Sequence, residues 1–163
     1  MAAAWSMPVE FSPPRLAVVI DKSTHTRALV AAGGMLGLVV PGAAMAPLVL
    51  ALGSESGRDV DKFARHQLPD LRGPVLGVPV LEAGAAAWLE CRVIPERHTE
   101  DAYDTCFVEV VAAAANPRVF AQGHWRLAAD NADLHTLHYL GGGQFVQASD
   151  AFAVAPAAPK PEA

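Results

Sequence analysis

The first half of the chain contains a long apolar stretch that is interrupted by glycine and proline. Residues 28–53 carry no charged side chain, and a stretch of this length could cross a bilayer as a helix. Glycine and proline divide it into pieces of about ten residues or fewer, which is typical of turns in globular chains. The pattern therefore favours a helix over 26–32, a fully buried strand over 35–40 and a second apolar helix over 43–52.

Alternation of apolar and polar side chains marks strands in the second half. Residues 88–94 alternate in this way and residues 105–111 continue the pattern, so we predict two antiparallel neighbours. A short strand is expected over 118–121. Leucines at helical spacing over 134–140 predict one or two turns of helix, followed by a tight turn at the glycines 141–143.

These elements predict a single β-rich α+β domain with a barrel-like form. The chain has 163 residues, the size of one ordinary domain. We place the domain at 1–152. Residues 153–163 are rich in proline and alanine and are expected to form a flexible tail.

Net charge limits the possible binding partners of the protein, and the N-terminal sequence and the cysteines indicate its cellular compartment. The formal net charge of −5 disfavours non-specific binding to nucleic acid or to an anionic membrane. The start, MAAAWSMPVEF, lacks the basic region of a secretory signal, so we expect a cytoplasmic protein. Cys91 and Cys106 lack CxxC spacing and lie in apolar segments, which favours buried thiols in a reducing compartment over a disulfide or redox pair.

A polar segment separates an apolar run from the first predicted helix in VVIDKSTHTRALV. The helix start leaves backbone N–H groups unpaired, and Asp21, Ser23 or Thr24 could cap them. Capping alone gives no role to Lys22. An ammonium group, hydroxyls and free amides at a helix start also form an anion site, so a bound phosphate is the second interpretation.

A second segment, GSESGRDVDKF at 53–63, has the same ingredients, since hydroxyls and glycines precede Arg58 and Lys62. Taken alone, it is typical of a solvated loop before a charged helix start, with Asp59 and Asp61 as first-turn acids. Two basic, hydroxyl-rich junctions together indicate one shared anionic ligand.

Five segments carry a family resemblance: PVEFSPPRLAVVIDKSTHTRALV, GSESGRDVDKF, WLECRVIPE, FVEVVAAAANPRVF and LHYLGGGQFV. In this order, over 4–146, they resemble the flavin reductase-like family of FMN-binding split barrels, including its flavoredoxin-like and ferric reductase-like members. The resemblance implies a homodimer that holds FMN at the subunit boundary. Family members usually begin with a strand upstream of the segment that starts here at Met1, so we expect the first barrel strand to be missing. Either the true start lies upstream, or the barrel is incomplete and an edge is exposed.

The resemblance also implies roles for individual residues. Trp5, Ser6 and Met7 would contact the isoalloxazine ring, although Trp5 could equally pack against the core. His124 and His138 fall where the family approaches the flavin and the nicotinamide, and they are the catalytic candidates; ordinary surface or hydrogen-bonded histidines are the alternative. The positions implied for phosphate binding are Asp21, Lys22, Ser23, Thr24, Thr26, Ser54, Ser56, Gly57, Arg58 and Lys62. No metal site is predicted, because the HTLH pair has no carboxylate or cysteine companion at a suitable spacing.

The activity implied by this resemblance is an NAD(P)H:flavin oxidoreductase. Hydride would pass from NADH or NADPH to FMN, and the reduced flavin would serve a ferric complex or a partner monooxygenase. Such a reaction needs alignment of the two rings rather than a protein nucleophile. A flavoredoxin-like electron carrier with little NAD(P)H activity and a flavin-free binding module are the alternatives.

Overall fold

The computed structural model describes residues 1–149, 151–152 and 154. The strands are β1 Ser6–Phe11, β2 Pro14–Val19, β3 Met35–Pro41, β4 Leu71–Arg72, β5 Pro79–Val80, β6 Ala85–Ile94, β7 Thr105–Ala115, β8 Phe120–Ala121, β9 His124–Trp125, β10 Leu137–Gly141 and β11 Gln144–Gln147. The α-helices are α1 His25–Gly33, α2 Ala46–Ser54, α3 Lys62–Arg65 and α4 Arg97–Tyr103, and two 3-10 helices cover Ala43–Met45 and Ala129–Leu134.

A five-stranded antiparallel sheet in the order β1-β2-β7-β6-β3 forms the body of the protein. The strands predicted over 88–94 and 105–111 are β6 and β7 at its centre, and they are antiparallel neighbours as predicted, with Cys91 opposite Val110. The remaining strands form short two-stranded ladders. The β-rich α+β class is confirmed, but over the described residues the sheets do not close into a barrel.

One face of the sheet carries the hydrophobic core. Val18 on β2 lies opposite Cys106 on β7, and both are buried. Alternate residues of each strand point to the same face. Val30 of α1 packs on this face, in the same core cluster as Cys91 of β6. The two cysteines are buried and free, as the sequence predicted.

The apolar stretch 28–53 folds as separate short elements. The helix predicted over 26–32 is α1, and the helix predicted over 43–52 is a 3-10 turn followed by α2. The strand predicted over 35–40 is β3, which is half-buried rather than fully buried because it lies at the edge of the sheet. None of the helices in the described part of the chain is long and apolar enough to cross a membrane.

The prediction of a helix over 134–140 is wrong. A 3-10 helix ends at Leu134, and β10 then pairs with β11, with His138 opposite Val146. The glycines 141–143 all have positive φ and form the turn between these strands, so hairpin pairing overrides the leucine spacing. The strand predicted over 118–121 is shorter than expected and consists of β8 alone.

Strand β1 forms one edge of the sheet and pairs with β2. All six of its residues are exposed, and Phe11 is 96% exposed. The tail predicted over 153–163 lies outside the described residues apart from position 154, so its flexibility and the domain boundary at 152 stay predictions.

Candidate functional site

An open cleft of about 470 Å³ lies where the start of α1 meets the segment that leads into α3. Two loops meet nearby: the first loop, residues 20–24, joins β2 to α1, and the second loop, residues 55–61, joins α2 to α3. The second loop and the first turns of α1 supply lining residues, whereas the predicted phosphate contacts Asp21, Ser23, Thr24 and Ser56 are outside the lining. The lining residues are Met1, His25, Thr26, Leu29, Gly57, Arg58, Asp59, Val60, Asp61, Lys62 and Phe63.

The first loop is held by hydrogen bonds of its own polar residues. The Ser23 backbone N–H donates to Asp21 Oδ1 at 2.7 Å, and hydrogen bonding from Ser23 lowers the pKa of the Asp21 carboxyl. Thr24 is the N-cap of α1, since its hydroxyl accepts from the Arg27 backbone N–H at 3.2 Å. Capping is therefore one function of this loop, and Thr26 in the first turn of α1 lines the cleft.

The second loop is ordered in the same way. The Ser56 hydroxyl accepts from the Arg58 backbone N–H at 3.2 Å. Asp61 is the N-cap of α3 and accepts from the backbone N–H of Phe63 at 2.9 Å and of Ala64 at 3.1 Å. Arg58 precedes α3 and Lys62 is its first residue, and both line the cleft. Ser54 does not line it, because its hydroxyl donates back to the Leu50 carbonyl of α2.

The two loops are joined directly. Arg58 Nη1 donates to the Ser23 carbonyl oxygen at 2.9 Å. Gly57 lies so close to His25 that a Cβ added at Gly57 would be 3.0 Å from His25 Cδ2. Lys62 Nζ donates to the Leu52 carbonyl at 2.5 Å, which holds its ammonium group at the cleft. The structure thus brings together the two segments for which the sequence predicted a shared ligand.

Lys22 lies apart from this cleft. Its Nζ donates to the Asp101 carbonyl at 2.7 Å and is 3.4 Å from Asp104 Oδ1. These contacts direct its side chain to the turn between α4 and β7. Lys22 is therefore outside the cleft lining, whereas Lys62 lines it, and the phosphate contact predicted for Lys22 stays a prediction.

The residues predicted to contact the flavin ring lie near the start of β1. Trp5 is 73% exposed and Met7 is 60% exposed, so the alternative of a Trp5 packed against the core is wrong. The Trp5 carbonyl accepts from the Val19 backbone N–H at 3.0 Å, which ties this segment to β2. Trp5, Ser6 and Met7 are outside the cleft lining, and their role stays a prediction.

The two histidines proposed as catalytic are outside the cleft lining. His124 on β9 and His138 on β10 are both exposed. By contrast, His135 is buried, and its ring nitrogens lie 2.8 Å from the Ala148 carbonyl and 3.0 Å from Asn131 Oδ1, so it stabilises the chain around the hairpin. Among the described residues there is no His, Cys, Asp or Glu cluster that could hold a metal ion.

Several cleft residues were missed by the sequence argument. His25 and Leu29 lie one turn apart on the same face of α1, a spacing that could have indicated a shared surface. Phe63 follows Lys62 and gives the cleft a third exposed apolar side chain, beside Met1 and Leu29. The sequence predicts Asp59 only as a first-turn acid, but it precedes α3 and lies in the lining.

The donor set of the cleft fits the phosphate end of FMN. Arg58 uses one guanidinium N–H on Ser23, and Lys62 uses one ammonium proton on Leu52, so both keep donors for a ligand. A phosphate ester offers only oxygen acceptors, which match these cations and the Thr26 hydroxyl. The volume is within the range of small-molecule sites, and exposed apolar side chains adjoin the polar ones.

Comparison with known proteins identifies the family of this chain. The model of a family described as the flavin reductase like domain matches residues 1–155. The chain belongs to the flavin reductase-like family. It is 53% identical over 146 residues to the uncharacterised protein YddH of Escherichia coli (strain K12). The aligned residues cover 90% of this chain and 76% of YddH.

Solved structures that resemble this chain include an FMN-binding domain and a flavoredoxin. An FMN-binding domain of a flavin reductase-like enzyme from Shewanella baltica OS155 is 37% identical, with a TM-score of 0.87 over 95% of this chain and 81% of the other. The flavoredoxin of Desulfovibrio vulgaris (Miyazaki F) shares the fold, with a TM-score of 0.79 at 20% identity over 95% of this chain and 81% of its own. The sheets of the described residues do not close into a barrel. The chain nevertheless has the same overall fold as these two structures.

Proposed function

We propose that this protein is an FMN-dependent oxidoreductase that passes hydride from NADH or NADPH to flavin. The observation that carries the proposal is the contact between Arg58 and Ser23, because it joins the two hydroxyl-rich loops beside a cleft that is lined by the cationic donors Arg58 and Lys62. Membership of the flavin reductase-like family and similarity to an FMN-binding domain support the choice of flavin.

In this proposal the chain's own residues bind and orient the cofactor. Thr26, Arg58 and Lys62 donate to the phosphate, and Leu29 and Phe63 exclude water from one side of the cleft. Bound FMN supplies the N5 position that accepts the hydride of the nicotinamide. His124 and His138 are exposed and remain proposed contacts for the flavin and the nicotinamide.

We further propose a homodimer with the flavin ring at the subunit boundary. Strand β1 supports this, because Met7, Val9 and Phe11 are exposed apolar side chains on one edge of the sheet. Apolar exposure of this kind is typical of an interaction surface. Trp5 and Met7 would then contact the ring from this boundary.

The reduced flavin would serve a ferric complex or a partner monooxygenase in the proposed cycle.

Two free, buried thiols in the described residues support residence in a reducing compartment such as the cytoplasm.

An anaerobic visible spectrum tests the activity. Purified protein is mixed with FMN, and NADH and then NADPH are added under anaerobic conditions. We expect the flavin band to bleach with turnover, and the faster donor identifies the nicotinamide preference. A bound-flavin spectrum that neither nicotinamide bleaches would support a flavoredoxin-like carrier instead, and absence of flavin binding would contradict both functions.

A further inference from the structure

His135 is a buried histidine whose two ring nitrogens both face hydrogen-bond acceptors. The residue is 2% exposed and follows the 3-10 helix that ends at Leu134. Its Nδ1 lies 2.8 Å from the Ala148 carbonyl oxygen. Its Nε2 lies 3.1 Å from the Ala128 carbonyl oxygen and 3.0 Å from Asn131 Oδ1. All three neighbouring atoms are oxygens, and carbonyl oxygens only accept hydrogen bonds.

The orientation of the Asn131 amide is fixed by its other contacts. Its Nδ2 donates to the carbonyl oxygens of Arg118 at 2.8 Å and Arg126 at 3.0 Å, which uses both amide protons. Its Oδ1 accepts from the Ala128 backbone N–H at 3.0 Å. A reversed amide would turn its oxygen toward two carbonyls and its NH2 group toward an N–H group. The atom that faces His135 is therefore the oxygen, and Nε2 meets acceptors only.

A neutral imidazole does not match this environment. In either tautomer, one ring nitrogen carries a proton and the other carries a lone pair. The lone pair would then point at a carbonyl oxygen, and that buried nitrogen would have no hydrogen bond, which destabilises a fold. An imidazolium donates from both nitrogens and satisfies the acceptors on both sides of the ring.

The charged side chains around His135 form ion pairs with one another. The titratable residues on the neighbouring elements are Arg118, Arg126, Asp130, Asp133, His138 and Tyr139. Hydrogen bonding from Arg126 and Arg118 lowers the pKa of the Asp130 and Asp133 carboxyls, and the positive charge of His135 lowers that of Asp133 further. These carboxylates and guanidinium groups therefore keep their charges near neutral pH. His138 and Tyr139 are exposed on β10.

The contacts of His135 join both ends of the β10–β11 hairpin to the preceding 3-10 helix. Ala148 directly follows β11, and its carbonyl faces His135 while its N–H donates to the Thr136 carbonyl at 2.9 Å. Thr136 precedes β10 and forms an isolated bridge to Gly42, which follows β3. The ring thus holds the base of the hairpin in place.

We propose that His135 is held as an imidazolium and acts as a pH-sensitive latch at the base of the β10–β11 hairpin. As the pH rises, the ring releases one proton to water, and one of its nitrogens loses its hydrogen bond. The base of the hairpin then opens, while the five-stranded sheet stays folded because β10 and β11 are not part of it.

The direction of the pH dependence follows from proton linkage. An ordinary histidine loses its second ring proton at about pH 6.5. The closed hairpin keeps the proton that the open hairpin releases, so alkaline pH favours opening. The stabilisation by the latch is complete in mild acid and is lost as the pH rises. This inference is independent of the proposed flavin function, since it requires no ligand.

The first measurement is the protonation of the ring nitrogens in the full chain. NMR spectra that correlate the ring C–H protons with both ring nitrogens are recorded on 15N-labelled protein from about pH 6 to about pH 9. Contacts with Ala148 assign the His135 resonances without a variant. We expect both His135 nitrogens to be protonated at about pH 7.5, where exposed histidines are mostly neutral. A neutral tautomer of His135 at that pH would overturn the proposal.

The second measurement is amide hydrogen exchange over 137–147, corrected for base catalysis, across the same pH range. We expect the exchange to accelerate by up to about tenfold per pH unit once His135 loses its proton, with no such change in β6. His135→Gln carries no charge, so its hairpin should exchange rapidly at every pH.

The matched control is His138→Gln, because it removes an exposed histidine from the same hairpin. This variant should keep the pH dependence of the parent, and its loss there would assign the effect to His138 and overturn the proposal. Hairpin exchange that stays constant while the His135 ring loses its proton would also overturn it. The parent and His138→Gln decide the question by themselves if His135→Gln does not fold.

Discussion

Arg58 and Ser23 are separated by 35 residues, and the guanidinium of Arg58 donates to the Ser23 carbonyl oxygen at 2.9 Å. This bond fixes the second loop against the first loop at the start of α1. A carbonyl is satisfied by one such donor, and the remaining N–H groups of the guanidinium stay available to an anion. The contact therefore serves both the fold and the proposed site.

The first prediction separates two lysines that the sequence treated alike. Lys62→Ala should weaken FMN binding by about 1–2 kcal/mol, or roughly 5- to 30-fold, because it removes an ammonium group from the cleft. Lys22→Ala should change FMN affinity less than twofold, since its ammonium contacts Asp101 and Asp104. Fluorescence titration of the two variants measures both effects.

Riboflavin gives the control for this pair, because it lacks the phosphate. Its affinity should be nearly the same in both variants and in the parent. Equal loss of FMN affinity in the Lys22 and Lys62 variants would show that the phosphate site extends to the far side of the first loop.

The second prediction concerns the close approach of Gly57 to His25. Gly57→Ala places a Cβ 3.0 Å from His25 Cδ2, so the imidazole must shift. We expect the free energy of unfolding to fall by about 0.5–1 kcal/mol. In a His25→Ala background the same substitution should have no such effect, which a double-mutant cycle by chemical denaturation will show. Additive effects of the two substitutions would contradict this packing contact.

The origin of these contacts explains how far the sequence could predict the site. Local patterns located both loops, since helix starts, hydroxyls and basic residues leave a signal within a few positions. The choice between Lys22 and Lys62 depends on a carbonyl about 80 residues along the chain from Lys22, at Asp101. A contact of that kind is set by the packing of α4 beside β7, and no local pattern records it.

The third prediction concerns a buried carboxylate. Glu90 on β6 is 0% exposed and accepts from the backbone N–H groups of Val75 at 2.8 Å and Leu76 at 2.7 Å. Glu90→Ala would leave two N–H groups without an acceptor, so we expect the free energy of unfolding to fall by about 2–4 kcal/mol. Glu90→Gln keeps one carbonyl acceptor and should lose less. Urea denaturation measures both.

Glu96→Ala is the matched control for this substitution, because Glu96 is exposed; its effect should be within about 0.5 kcal/mol. A parent-like stability for Glu90→Ala would mean that the loop does not depend on this carboxylate. Gly73→Ala provides an independent check, since its added Cβ would overlap the Glu90 carboxyl group and should also destabilise the fold.

The alternation that predicted β6 also shows the limit of the pattern. It identified the strand correctly, and it would place Glu90 with the exposed charged residues of a half-buried strand. The residue is buried because the loop around Val75 covers it and supplies donors. Burial of a charge by a loop from elsewhere in the chain cannot be deduced from period-two spacing.

The fourth prediction is an alkaline loss of stability due to Cys91. Burial and the nearby charge of Glu90 raise the pKa of the Cys91 thiol from 9.0 to about 11. Above pH 9 the unfolded chain releases this proton while the folded protein keeps it, so unfolding becomes more favourable. The contribution of Cys91 to stability is complete below pH 9 and is lost as the pH rises through about 11.

Urea denaturation of the parent and of Cys91→Ala between pH 8 and pH 11 measures this dependence. The variant should show a shallower decline, although its stability at pH 8 will be lower because of the cavity. Part of the slope should remain, because burial also raises the pKa of Cys106. Parallel pH curves for parent and variant would contradict the assignment to Cys91.

The last prediction tests the dimer surface on β1. Phe11 is 96% exposed, so its side chain contributes little packing within one chain, and Phe11→Asp should leave the fold intact while disrupting an apolar interface. We expect the parent to sediment as a dimer and Phe11→Asp as a monomer in analytical ultracentrifugation.

FMN affinity should fall in parallel, because the proposed ring contacts at Trp5 and Met7 lie on the same edge. Leu140→Asp is the control, since Leu140 is also apolar and 66% exposed but lies on β10, outside the sheet that contains β1. A dimer that persists in Phe11→Asp would place the interface on another face of the sheet, and a monomeric parent with full flavin affinity would confine the whole site to one chain.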